Sequence, residues 1–239
     1  MQEDLVGLLE EIIRAGVRAH AGETRFREPL LGFADADDHD FLRLNQRSPG
    51  HLLPADLLPG ARTVISFFLP FAPAVVEANR AATPCAREWA VGYTETNRLI
   101  ARLSSEVQEA LRERGHRAVW ELPTHEFDRT TLRARWSHKS VARIAGLGEF
   151  GLHRMLITPS GCAGRFGSVV TDAVLRAPRL WRGQACLPPG RQPMPHLRGA
   201  VPRRRPEPVG LQPREVSPAP RAGGRPLVGD PRGSPRRMR

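Results

Sequence analysis

A glycine motif and the histidine that precedes it are the residues whose spacing could support ligand binding or catalysis. Gly146, Gly148 and Gly151 match the GxGxxG spacing of dinucleotide-binding turns. In those proteins the motif follows a strand and opens a helix. Here a helical pattern precedes it, and the strand-like run at 153–158 follows it. Two interpretations stay open: a helix C-cap with a tight turn, and bare main chain that a large, flat cofactor can approach closely.

The segment before the glycines, residues 135–140, places a tryptophan, a histidine and the only lysine of the chain side by side. His138 is a candidate for ligand contact because its ordinary pKa lies near neutrality, although a single histidine more often has a structural role. Asp172 ends a strand-like run and either caps or orients a loop; the structural role is the favoured one. Cys162 has no Cys or His near it in sequence, so we predict no metal site or nucleophile there.

Alternating helical and strand-like patterns around these residues predict an α/β fold, a layered α+β sandwich over about residues 1–178. The strand at 61–71 is rich in β-branched and aromatic residues, as expected for a strand buried on both faces. A first helix is predicted around residues 5–13, ending near Gly16 or Gly22, and further helices over 89–114 and 136–145. Strands are predicted over 61–71, 117–123, 153–158 and 168–175.

Residues 25–58 follow neither period, and we predict that they are irregular. They include an acidic stretch with aspartates at 35, 37, 38 and 40. Such a stretch either binds a cation or forms a solvated loop.

The composition changes abruptly near residue 176. Residues 176–239 hold 15 of the arginines, 14 of the 23 prolines and only three acidic residues, for a net charge of +12. The preceding 175 residues carry a net charge of −1. A segment so charged and rich in proline cannot bury enough apolar area to offset chain entropy. We predict a disordered basic tail over 179–239; a nucleic-acid-binding arm is the alternative function for it.

Cysteine usage and the N-terminus indicate a cytoplasmic protein. The three cysteines form no CxxC pair, which fits a reducing compartment. The N-terminus is acidic and amphipathic, unlike a signal peptide. No apolar run is long enough to span a bilayer, so we expect no membrane association.

Three segments, LLPGARTVISFFLPF, REWAVGYTETNRLIARL and SHKSVARIAGLGEFGLHRMLITPSGCAGRFGSVVTDAVL, resemble the epoxyqueuosine reductase family over about residues 50–175. The resemblance implies a cobalamin-binding domain with a nitroreductase-like fold. It also implies reduction of epoxyqueuosine in tRNA, with cobalamin as cofactor and electrons from two four-iron clusters in a ferredoxin-like domain. The cofactor-contacting residues that it implies are Ser137, His138, Gly146, Gly148, Gly151, Gly164 and Gly167.

Two positions depart from the pattern of the family. The proton-donating aspartate of the true reductases would fall near Thr131 and Leu132, where this chain has no acid. Asp128 and His138 are the remaining candidates for a catalytic role. The Lys-Asn pair of the family is replaced by Leu152-His153, so the substrate can differ from epoxyqueuosine.

The cluster-binding domain is the largest departure. Four-iron clusters need runs of cysteine thiolates, and beyond residue 175 this chain has only Cys186. A reading-frame shift near 176–190 would explain this, since one base later the codons of Met194-Pro195 read Cys-Pro. We therefore expect a truncated oxidoreductase that needs a separate electron donor. The alternatives are a non-catalytic cobalamin-binding protein and a nucleic-acid-binding protein.

Overall fold

An antiparallel four-stranded sheet forms the centre of the computed structural model, which describes residues 2–122 and 134–176. Asp128 and the basic tail, on which several of the sequence predictions fall, lie outside the described residues. The helices are α1 Gln2–Arg18, α2 His39–Arg47, α3 Pro54–Leu57, α4 Pro73–Ala81, α5 Arg87–Arg112 and α6 His138–Ile144. The strands are β1 Leu30–Asp35, β2 Thr63–Pro70, β3 Ala118–Trp120, β4 Glu149–Phe150, β5 Leu156–Ile157 and β6 Gly164–Thr171.

The strand order of the sheet is β1-β2-β6-β3. Every residue of β2 is buried, which confirms the strand predicted from its continuous apolar run. Strand β6 pairs with β2 over its whole length, from Gly164 to Thr171. Strand β3 pairs only with residues 169–171 of β6. Residues 164–168 therefore have no described strand on that side, and we call them the open edge of β6.

Helices cover both faces of the sheet, as the predicted layered α/β sandwich requires. Helices α1 and α5 pack on one face, where their apolar residues meet Ile65, Phe67 and Val169. Helix α6 and the segments around it pack on the other face, against Val64 and Val170. The predicted helices correspond to α1, α5 and α6, because each keeps one apolar face over its length.

The prediction that residues 25–58 are irregular is wrong. They contain β1, α2 and α3. Strand β1 is short and buried at four successive positions, so it shows no alternation that a sequence pattern could reveal. The acidic stretch starts a helix, since Asp38 caps α2 by accepting the amide hydrogen of Asp40 at 2.9 Å. In residues 2–122 and 134–176, no group of three acidic, His or Cys side chains could hold a metal ion.

Several strand boundaries also differ from the prediction: β3 covers only Ala118–Trp120 of the predicted 117–123, and β6 ends at Thr171 rather than at 175. Only Leu156 and Ile157 of the 153–158 run form a strand, because Arg154 has a positive φ of 61° and belongs to the turn between β4 and β5. Strand β6 begins at Gly164 rather than at Ser168, since its pairing with β2 extends to that residue. Within the described part of the chain, no helix has the length and apolar character needed to cross a membrane.

Candidate functional site

A buried polar cluster lies where helix α6 meets strand β6. The indole Nε1 of Trp136 donates a hydrogen bond to Ser168 Oγ at 2.9 Å. Nδ1 of His138 lies 2.8 Å from the same oxygen. All three side chains are buried. His138 begins α6, so the helix and the central strand together fix the position of its ring.

His51 holds the segment that leads into α6. Its Nε2 accepts the amide hydrogen of Ser137 at 3.0 Å, and its Nδ1 lies 2.8 Å from the carbonyl oxygen of Leu52. This pair of contacts requires a neutral ring with its hydrogen on Nδ1. Burial lowers the pKa of His51 below its ordinary value, and the hydrogen bond to Leu52 acts in the opposite direction. The centroids of the His51 and Trp136 rings are 5.5 Å apart. Phe41 stacks on Trp136, with a centroid separation of 6.2 Å.

His138 is held neutral by its surroundings. Burial lowers its pKa to about 4, and the nearby charge of Arg165 adds to the shift. A main-chain hydrogen-bonding interaction with Glu121 acts in the opposite direction. Nε2 is buried, and no hydrogen bond with standard geometry joins it to an atom of residues 2–122 or 134–176. Such an atom is unfavourable unless a bound group supplies the missing partner.

Arg165 presents a second buried atom of this kind, since its Nε also has no hydrogen-bond partner in the part of the chain that the structure describes. Its guanidinium lies over the ring of Tyr93 of α5, 4.0 Å from the ring centroid. Alternate residues of a strand face opposite sides of the sheet. Arg165 is therefore directed to the α5 side, and Ser168 with His138 to the α6 side. Both residues of β6 belong to its open edge, and we call His138, Ser168 and Arg165 the edge site.

The edge site is suited to binding and orientation. Its two unpaired nitrogens can donate hydrogen bonds to acceptor atoms, and the guanidinium adds positive charge. A histidine with a pKa near 4 is neutral at physiological pH, so it holds no readily released imidazolium proton. Ser137, predicted to contact a cofactor, is the N-cap residue of α6, and its Oγ lies 2.9 Å from Ser140 Oγ.

Gly146 ends helix α6, as the C-cap interpretation predicts. Its φ is 76°, in the left-handed region that favours glycine. Its amide donates to the carbonyl of Arg143, and the amide of Leu147 donates to that of Ala142, both at 2.9 Å. This pair of bonds defines a Schellman motif, so the chain itself requires a glycine here.

At the other four glycines predicted to contact the cofactor, the space that a Cβ would occupy is filled by the chain's own atoms. A Cβ on Gly148 would lie 2.1 Å from the carbonyl oxygen of Ile157, and one on Gly151 would lie 2.7 Å from the His153 ring. Gly164 and Gly167, predicted to form part of a cofactor-binding loop, lie in strand β6. A Cβ on Gly164 would lie 2.3 Å from the carbonyl oxygen of Leu69, and one on Gly167 would lie 2.3 Å from the Phe67 ring. The close contacts that glycine allows at these four positions are therefore made with other atoms of this chain.

Sequence patterns did not reveal His51, Ser168 or Arg165. His51 falls in the region predicted to be irregular, and its partner Ser137 is 86 residues away in sequence. Arg165 falls in a segment predicted to be a loop, where an arginine suggests solvent exposure. The one available signal was the largely apolar run at residues 166–170, whose positions are all buried in the structure.

No protein-family model and no curated protein matches the sequence. Among solved structures, the chain is similar to an epoxyqueuosine reductase with a tRNA-Tyr epoxyqueuosine-modified stem loop, with 16% identity, a TM-score of 0.49, and coverage of 76% of this chain and 50% of that one. It is also similar to the epoxyqueuosine reductase from Streptococcus thermophilus, with 16% identity, a TM-score of 0.47, and coverage of 77% and 49%.

A catabolic reductive dehalogenase is a further similar structure, with 18% identity, a TM-score of 0.43, and coverage of 76% of this chain and 26% of that one. The chain spans about half the length of the epoxyqueuosine reductases that it matches. The activity, substrate and partners of the whole reductases are therefore proposals where this chain is concerned.

Proposed function

We propose that this chain is the cobalamin-binding part of a reductase of the epoxyqueuosine reductase kind. The unpaired, buried Nε2 of His138 carries the proposal. This atom lies in the segment 137–175, where the sequence resembles that family most specifically. A neutral histidine, fixed by Trp136 and Ser168 and lacking one partner, is a group prepared for a ligand.

The edge site fits an oxygen-rich cofactor. Leaving a polar atom buried without a partner costs about 1–3 kcal/mol, and here both His138 Nε2 and Arg165 Nε are in that condition. A corrinoid carries amide carbonyls at its periphery, which can accept hydrogen bonds from both. We therefore assign the hold on the cofactor to His138 and Arg165, with Ser168 orienting the His138 ring. We do not assign this hold to the glycines, since an added Cβ at Gly148, Gly151, Gly164 or Gly167 would meet the chain's own atoms.

Cobalamin, when bound, supplies the redox chemistry of the reaction. The chain contributes binding, orientation and a neutral donor at His138. Neither cysteine in residues 2–122 and 134–176, Cys85 or Cys162, belongs to a group that could bind a metal, and a four-iron cluster takes four thiolates. We therefore assign the electron supply to a separate iron–sulfur protein or domain.

The substrate proposed is epoxyqueuosine in tRNA, in the cytoplasm. The resemblance over residues 137–175 supports this choice, and one similar structure was solved with an epoxyqueuosine-modified tRNA stem loop. Leu152, where the family has lysine, is 94% exposed at the turn between β4 and β5. Because leucine replaces lysine at this position, the turn carries one positive charge fewer than in the family, whichever nucleoside is reduced.

Corrinoid retention by the full chain tests the proposal. The purified protein is incubated with hydroxocobalamin, separated by gel filtration and analysed by absorbance. We expect about one corrinoid per chain, and an affinity about tenfold lower for His138→Ala, the equivalent of about 1.4 kcal/mol. His153→Ala, at an exposed histidine of the same segment, is the matched control. A wild-type chain that retains no corrinoid contradicts the proposal.

A further inference from the structure

We infer that His138 faces its ligand as a hydrogen-bond donor through Nε2–H, and does not coordinate a metal ion. The ligand atom opposite Nε2 is then an oxygen acceptor, such as an amide carbonyl. The inference about the histidine stands on the hydrogen bonds of this chain alone. The identity of the ligand as a corrinoid rests on the proposed function.

The direction of the hydrogen bonds starts at Trp136. An indole nitrogen can only donate, so Ser168 Oγ accepts from Trp136 Nε1 at 2.9 Å. The hydroxyl of Ser168 has one hydrogen, which must find an acceptor because the side chain is 1% exposed. Among the described residues, the one acceptor recorded for it is His138 Nδ1, at 2.8 Å.

The tautomer of His138 follows from this arrangement. Nδ1 accepts the serine hydrogen, so it carries none itself. A neutral imidazole bears one hydrogen on its two nitrogens, and the remaining one is therefore on Nε2. The low pKa of the buried ring agrees with a neutral state. Nε2–H is thus a donor for which the described residues supply no acceptor in hydrogen-bond geometry, and an acceptor atom of a ligand would complete it.

Metal coordination would need the opposite tautomer. A histidine binds a metal through the lone pair of an unprotonated nitrogen, and its other nitrogen usually donates to an acceptor. Ser168 Oγ would then accept from both Trp136 and His138, and its own hydrogen would be buried without a described acceptor. Satisfying all three side chains therefore favours Nε2–H and an oxygen ligand.

Nitrogen NMR of the full chain, labelled with ¹⁵N-histidine, tests the tautomer directly. Long-range ¹H–¹⁵N correlations distinguish a protonated Nε2 from a protonated Nδ1. We expect the Nε2–H form of His138 in the wild type. In Trp136→Phe the Ser168 oxygen is free to accept from Nδ1–H, so we expect the Nδ1–H population to rise. Trp89→Phe, at a tryptophan of α5 packed on Phe71, is the matched control and leaves His138 unchanged.

Ser168→Ala gives a second variant if Trp136→Phe does not fold, and we expect both tautomers of His138 to be populated in it. An Nδ1–H ring in the wild type overturns the inference. Electron paramagnetic resonance with added cob(II)alamin supplies a further reading. The inference would also be overturned if labelled histidine nitrogen splits the cobalt signal in the wild type and this splitting is lost in His138→Ala. If the chain binds no corrinoid, the proposed function fails while the NMR result still decides the tautomer.

Discussion

His51 Nε2 lies 3.0 Å from the amide nitrogen of Ser137, the residue that precedes the first turn of helix α6. A second hydrogen bond, from the amide of Leu52 to the carbonyl of Arg135 at 2.8 Å, ties the same two segments together. Because His138 is the next residue along the chain, His51 acts on the edge site by fixing where α6 begins. In the proposed site it is a positioning residue, because it acts through the main chain of Ser137.

Replacing His51 distinguishes its acceptor atom from its bulk. His51→Leu leaves the part-buried amide of Ser137 without its acceptor, so we expect a loss of about 1 kcal/mol in the free energy of unfolding. His51→Gln keeps an oxygen that can reach this amide, and we expect a smaller loss. Urea unfolding measures both, with the exposed His39→Gln as control. Equal losses for the leucine and glutamine variants would show that the hydrogen bond to Ser137 is unimportant.

Glu95 of α5 stabilises the folded state in a pH-dependent way. Its carboxylate accepts from the hydroxyl of Thr24 at 2.5 Å, from the amides of Thr24 and Glu23 at 2.8 and 3.1 Å, and lies 3.4 Å from His20 Nε2. The hydrogen bond from the Thr24 hydroxyl is the largest cause that lowers the pKa of Glu95, from 4.5 to about 2, while burial opposes the shift.

The sign of the effect follows from the lowered pKa. The folded state favours the carboxylate, so its stabilising contribution is present above pH 4.5 and is lost as the pH falls towards about 2. We expect Glu95→Gln to be less stable than the wild type at pH 7 and to lose less stability between pH 4.5 and 2. Denaturant unfolding across this range measures both, with the exposed Glu88→Gln as control. Parallel curves for wild type and Glu95→Gln would be evidence against this role.

Gly148 is required by packing within the chain, whether or not a cofactor is present. An alanine Cβ would lie 2.1 Å from the carbonyl oxygen of Ile157, a main-chain atom that cannot turn aside. We expect Gly148→Ala to lower the free energy of unfolding by about 3 kcal/mol. Gly7→Ala, in α1 with nothing within 4 Å of its added Cβ, should raise it by about 1 kcal/mol. Thermal unfolding of the cofactor-free chain measures both, and an unchanged stability of Gly148→Ala would refute the packing explanation.

Arg165 contributes to the low pKa of His138. Burial is the larger cause, and the positive charge of Arg165 disfavours a second positive charge on the ring. We therefore expect Arg165→Met to raise the pKa of His138 above its wild-type value of about 4. NMR titration of labelled histidine measures this, and Arg98→Met, at an exposed arginine of α5, is the control. A His138 titration that is identical in wild type and Arg165→Met would show that the two groups are not coupled.

The sequence predicted the elements that carry one clear period or a long apolar run. Helices α1, α5 and α6 and strand β2 are of this kind, and so is the C-cap at Gly146. Of the edge site only His138 could be predicted, because Ser168 and Arg165 join it through tertiary contacts. His51 meets Ser137 across 86 residues, and the contact of His138 with Ser168 spans 30. The sequence indicates a loop at Arg165, because the residue belongs to β6 only through its pairing with Leu69 of β2, and local sequence does not specify which strands pair.

Hydrogen exchange of the full chain, with and without hydroxocobalamin, tests the central claim that the corrinoid binds at the edge site. A bound corrinoid would cover residues 164–168 of β6 and the first turn of α6, so we predict slower amide exchange there and its loss in His138→Ala. Segments away from the site, such as α4, should be unchanged. Protection that is absent from residues 164–168 in the presence of bound corrinoid, and confined to other segments, would contradict the account.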